Sequence, residues 1–170
     1  MISVVDNEQH QTLHNHLYLL TLEVDRLIVG DEYHTLPCHL TLVSRFKSEL
    51  DFDELALAIK PIFEHSAPIQ FSFTKEAIIG PKNTTVHLIE KSLELSNLHL
   101  QLVEILRKLN VTYTMPEYID EGYLSHVSKR QDTNTEIGYK QLSNYAFLIK
   151  VEKTGNKDIR KIRAKFKLGC

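Results

Sequence analysis

Tryptophan is missing from the 170 residues, and cysteine, methionine, proline and glycine are all sparse, at two, two, five and six. Cys38 and Cys170 form neither a Cys-x-x-Cys pair nor a disulfide framework, and neither sits in a nucleophile pattern. A reducing compartment, the cytoplasm, is therefore expected. With so little Gly and Pro, turns must be short, and no Gly/Ser linker or low-complexity stretch divides the chain. Residues 1–170 are thus expected to form a single domain, which at this length buries roughly two-thirds of its unfolded surface. No apolar run approaches the ~20 residues of a bilayer span, and Met1 to Asp6 lacks the basic-then-apolar order of a leader. No membrane association is expected.

The hydrophobic share of 42% and charged share of 25% are ordinary for a globular domain and exclude disordered or collagen-like classes. The net charge of −2 hides an asymmetry. From Lys129 onward eleven bases face four acids, whereas the preceding segment carries nine bases and eighteen acids. A localised basic region suits a phosphate-bearing partner, although solvated lysines on an edge strand are the commoner cause.

Apolar patterning predicts strands over Leu17 to Val24 and Pro37 to Phe46. The second places Cys38, Leu40, Leu42 and Ser44 on one face and His39, Thr41, Val43 and Arg45 on the other. A helix then begins with Asp51 as N-cap, Glu54 completing a capping box, and Leu50 against Leu55 as a hydrophobic staple. It is expected to run to about Lys60, where Pro61 ends or kinks it, although Ile62 and Phe63 keep the apolar rhythm. Strands follow over Ile69 to Phe73 and Thr85 to Ile89, separated by a Gly80-Pro81 turn. A second helix runs from about Leu93 to Leu109, its leucines recurring at helical spacing. Val111 to Thr114 and Leu124 to Arg130 read as strands, and a hairpin closes the chain, Tyr145 to Glu152 and Ile159 to Leu168 around Gly155-Asn156. The last strand is expected to show Ile162, Ala164, Phe166 and Leu168 on one face and Lys161, Arg163, Lys165 and Lys167 on the other. Strands outnumbering two interposed helices imply an α+β architecture with one sheet face open.

Two segments repeat a pattern, His39-Leu40-Thr41-Leu42 and His126-Val127-Ser128-Lys129. In a strand, residues i and i+2 share a face, so each segment presents an imidazole beside a hydroxyl. Converging on one cleft, the two pairs suit phosphodiester cleavage: one histidine removes a proton from the attacking oxygen, the other protonates the leaving oxygen, and the hydroxyls hold the phosphoryl oxygens. Imidazole fits because its ordinary pKa of about 6.5 lets both forms coexist. Among 9 His, about one His-x-Ser/Thr is expected by chance. Three occur, the third being His10-Gln11-Thr12 in a polar stretch, so strand context and the separation of the other two carry the signal.

On these motifs the chain resembles the two-histidine (2H) phosphoesterase superfamily, which includes bacterial 2'-5' RNA ligase-like proteins and cyclic phosphodiesterases. The resemblance covers Leu17 to the end. It implies a bilobal, pseudo-twofold α+β fold of antiparallel sheets, helices on the outer faces and a central cleft. It also implies His39 and His126 as the acid/base pair and Thr41 and Ser128 as phosphate ligands, with no cofactor and no metal. Lys129 and Ser125 depart from the family pattern, and Asp25 to Pro37 is short for a helix often found there. Arg130 and Arg45 share faces with the motifs and are candidate phosphate neutralisers. Tyr123, with Tyr118, is a candidate for stacking on a base.

The expected activity is metal-independent hydrolysis of 2',3'-cyclic phosphates or RNA 2'-5' linkages, the partner being RNA or a nucleotide with a cyclic phosphate, and a monomer is the expected state. The rival is a non-catalytic RNA- or nucleotide-binding module of the same fold. A weaker rival is a histidine metalloprotein using His14 and His16. Cys38 and His99 read as core residues.

Overall fold

The computed structural model describes residues 15–130 and 135–169. Its elements in chain order are β1 (His16–Glu23), β2 (Glu32–Tyr33), β3 (His39–Ser48), α1 (Phe52–Glu64), β4 (Ile69–Ile79), β5 (Thr84–Ile89), α2 (Leu93–Lys108), β6 (Thr112–Tyr113), β7 (His126–Ser128), β8 (Lys140–Ser143), β9 (Tyr145–Thr154) and β10 (Lys157–Lys167). The strands form one antiparallel path, β2-β10-β9-β1-β3-β7-β5-β4-β8, with β6 added to β3. The α+β expectation is met, with one refinement: the two expected sheets are fused, and their seam is the single pairing Leu40 opposite Val127 between β3 and β7.

Both helices cover one face of this sheet. Asp51 accepts from the Glu54 amide at 2.9 Å while the Glu54 carboxylate accepts from the Asp51 amide at 3.2 Å, the capping box read in the sequence. Leu55, Ile59 and Phe63 of α1 and Leu95, Leu98, Leu102 and Leu106 of α2 are buried with Leu20, Leu22, Leu40, Leu42 and Phe46 of the sheet. Phe63 stacks on Phe166 of β10, ring centroids 4.8 Å apart. That contact explains why α1 does not stop at Lys60 but carries Pro61 inside it and ends at Glu64. Proline withholds only the bond to the Leu57 carbonyl, and Leu57 is 74% exposed, so water can take the bond's place on that side.

The opposite face is half covered. Leu27 and Leu36, from the crossing between β1 and β3, pack on Leu19, Phe147, Ile149, Val151 and Ile162. Register shifts overturn two expected alternations. In β3 the register shifts near Val43, so Val43 joins the helix-side core while Ser44 turns to the cleft with Arg45. In β10 a shift between Ile162 and Ala164 puts Ile162 in the second core but Ala164, Phe166 and Leu168 against the helices. The basic face is split accordingly: Arg163 lies over the Phe52 ring of α1, whereas Lys165 lies over Tyr145. β7 is shorter than expected, and two 3-10 turns, Pro116–Tyr118 and Asp120–Gly122, precede it. β4, conversely, extends to Ile79. No helix among the described residues is long and apolar enough to cross a membrane. His10, Thr12, His14 and Cys170 lie outside the described residues.

Candidate active site

Where the crossing leaves the face uncovered, the seam between the two halves of the sheet is exposed. With Leu40 opposite Val127 in antiparallel register, His39 stands across from Ser128 and Thr41 across from His126. Leu40 and Val127 are fully buried towards the helices, so the other four side chains share the open face. They form a two-by-two tile with a histidine at each end of one diagonal. Directly opposed positions of such a tile are about 4.5–5.5 Å apart and diagonal ones about 7–8 Å, enough to hold a phosphoryl group between the rings.

Both imidazoles are fixed in the same way. His39 Nδ1 lies 2.8 Å from the Pro37 carbonyl and His126 Nδ1 lies 2.8 Å from the Leu124 carbonyl, each two residues back. A carbonyl only accepts, so Nδ1 carries the proton and Nε2 is left as the basic atom of each ring. Burial holds both pKa values below the ordinary imidazole value. The carbonyl bonds oppose this shift, and His39 is pushed further down by Arg130, His126 and Arg160. The free protein therefore keeps both rings largely neutral at neutral pH.

Two adjoining hollows make up the cleft. One, of ≈ 290 Å³, is lined by His39, His34, Arg45, Arg130 and Arg160. The other, of ≈ 440 Å³, is lined by His126, Ser128, Tyr118, Tyr123 and the Gly80-Pro81 turn. Thr41, Ser44 and Arg45 border both. Arg45 bonds Asp158 at 2.9 Å, and Arg160 approaches the same carboxylate at 3.8 Å while donating to the His34 carbonyl. The structure thus brings together His39, His126, Thr41, Ser128, Arg45 and Arg130. Arg160 and Ser44 are cleft residues that sequence reasoning missed; two positions before Ile162, Arg160 shares that residue's face.

Tyr123 is placed differently from expectation. Its ring is stacked on His99, centroids 3.9 Å apart and planes 4° apart, and its hydroxyl donates to the Thr41 carbonyl at 2.9 Å. Burial pushes that hydroxyl's pKa well up. One ring face is therefore already occupied, and the residue fixes the backbone of Thr41. His99 is a core histidine as read: Nδ1 faces the Leu42 carbonyl at 2.7 Å and Nε2 accepts from the Asp120 amide at 3.0 Å. Cys38 is buried, and Lys129 pairs with Glu76 at 2.7 Å rather than entering the cleft. Ser125 is buried, its carbonyl accepting from Ile89. His16 starts β1, its ring 6.0 Å from that of Tyr18. Among the described residues no three His, Cys, Asp or Glu side chains group as metal ligands.

His39, His99 and His126 all have depressed pKa values in the folded chain. An unfolded histidine takes up its proton near pH 6.5, so below that pH the unfolded state binds protons the folded state refuses. Stability is expected to fall as pH drops from about 6.5. The check is the urea midpoint at pH 7.5 and pH 5; a higher midpoint at pH 5 would contradict it.

No family model matches the chain, and no curated protein does. Solved structures do. A crystal structure of a phosphoesterase aligns with a TM-score of 0.63 and 9% identity, covering 91% of this chain and 99% of its own. E. coli LigT complexed with 3'-AMP aligns with a TM-score of 0.57 and 8% identity, covering 92% and 99%. A Thermus thermophilus protein aligns with a TM-score of 0.58 and 16% identity, covering 89% and 97%. The fold is that of the LigT-like phosphoesterases. E. coli LigT has also been crystallised with ATP and with NADP+.

Proposed function

We propose that this chain hydrolyses nucleoside 2',3'-cyclic phosphates or related RNA phosphodiesters, with His39 and His126 as the acid/base pair and no metal in the reaction. The observation that carries this reading is the matched tile at the β3–β7 seam: two imidazoles held alike through Nδ1, each across from a hydroxyl. One neutral Nε2 takes a proton from water as its oxygen bonds to phosphorus. The other ring, protonated, delivers its proton to the departing ribose oxygen as that P–O bond breaks, leaving a phosphomonoester. Thr41 and Ser128 donate to the non-bridging oxygens, and Arg130 offsets their charge. The LigT fold, seen with nucleotides bound in that protein, supports a nucleotide substrate.

Turnover of nucleoside 2',3'-cyclic phosphates in EDTA tests the reading, and its pH dependence is specific. The free protein holds both imidazole pKa values below the ordinary value, so protonated acid is scarce at neutrality. The kcat/KM profile is therefore expected to be bell-shaped with its maximum below about pH 6.5. A bound phosphate anion raises both pKa values, so kcat should peak at higher pH. Activity that stays flat above about pH 9 would rule out two titrating imidazoles. Binding without turnover would leave the non-catalytic module.

A further inference from the structure

The hollow beside His39 holds more positive charge than one cyclic phosphate needs. Arg45, Arg130 and Arg160 all line it, and none of its lining residues is acidic. Asp158, which contacts two of these guanidiniums, is the carboxylate the described residues bring to them. It offsets one unit, and the single charge of a cyclic phosphodiester offsets a second. Among the described residues one guanidinium charge remains. The side chains are only 30% exposed for Arg45, 21% for Arg160 and 24% for Asp158, so solvent screens the surplus incompletely. Burial and the neighbouring Arg45 charge hold the Arg160 guanidinium below its ordinary pKa, which marks a cation held at a cost.

Resting on the phosphodiesterase reading and deepening it, we propose that Arg45 and Arg160, oriented by Asp158, form a second phosphate subsite beside His39. The substrate class is then a nucleotide or RNA end that bears another phosphate besides the cyclic one. Arg45 borders both hollows and so lies between the reacting phosphate and its neighbour. His34 closes the far side, its carbonyl bound by Arg160 and its Nδ1 3.4 Å from the Asp158 carbonyl.

Three substrates test this: a nucleoside 2',3'-cyclic phosphate, its 5'-phosphorylated form, and a dinucleotide ending in the same cyclic phosphate. At least one of the latter two is expected to show kcat/KM about tenfold higher or more, mainly through KM, the equivalent of one charged hydrogen bond. Preference for the 5'-phosphate would identify a mononucleotide, and preference for the dinucleotide an RNA end. Arg160→Met should bring the ratio towards one. Arg163→Met, altering a guanidinium that lies over Phe52 instead, should preserve it. Ratios within about twofold of one in the parent protein would overturn the subsite, being less than a third of that tenfold effect in free energy. A parent that turns over none of the three defeats the phosphodiesterase reading instead, and equilibrium binding of the same compounds then decides the subsite by the same ratio.

Discussion

Replacing His39 or His126 with alanine is expected to lower kcat/KM on 2',3'-cyclic phosphates by about 10²–10⁴-fold, the range contributed by a positioned proton-transfer group. Neither ring lies in the apolar core. Each is partly exposed at the cleft, and each gives up a single bond to a carbonyl at the strand entrance, so the folded state should survive. The double variant should fall little below the worse single one, because an acid without its base leaves the same stalled reaction. Thermal melting of each variant separates loss of chemistry from loss of fold. Folded variants with full turnover would end the two-histidine assignment.

Much of this site was legible because period-two alternation survives where it matters. His39 and Thr41 precede the β3 irregularity, and His126 and Ser128 span the whole of β7, so i and i+2 share a face in both. Legibility fails where the backbone departs from that period. The shifts near Val43 and Ala164 reverse side-chain faces without any Gly or Pro to announce them, which hid the cleft positions of Ser44 and Arg160 from a reading by alternation. Pro61 is the opposite case: a strong local stop signal overridden by the burial of Phe63 against Phe166. β2, of two residues, and β8, of four, sit at the ends of the sheet, and segments so short carry too few residues for a pattern. The stacking of Tyr123 on His99 joins residues 24 positions apart through a tertiary contact, which spacing in the sequence does not encode.

Removing the hydroxyls should expose a cost distinct from removing the rings. Thr41→Val keeps the shape of the side chain and the backbone carbonyl that Tyr123 binds, and deletes only the hydroxyl of a residue that lines both hollows. Ser128→Ala does the same on β7. Each is expected to lower kcat by about 10²–10³-fold if the hydroxyl stabilises charge that grows in the transition state, as an oxyanion donor does. Thr41→Ser should retain activity, because the donor is kept and only a methyl is lost. A hydroxyl that merely binds the ground-state phosphate would raise KM and leave kcat unchanged. The pH profile separates the roles further: the imidazoles keep their carbonyl partners in these variants, so the bell should hold its position while its height falls. A bell displaced along the pH axis would mean that Thr41 and Ser128 act on the protonation of the histidines and not on the phosphoryl oxygens.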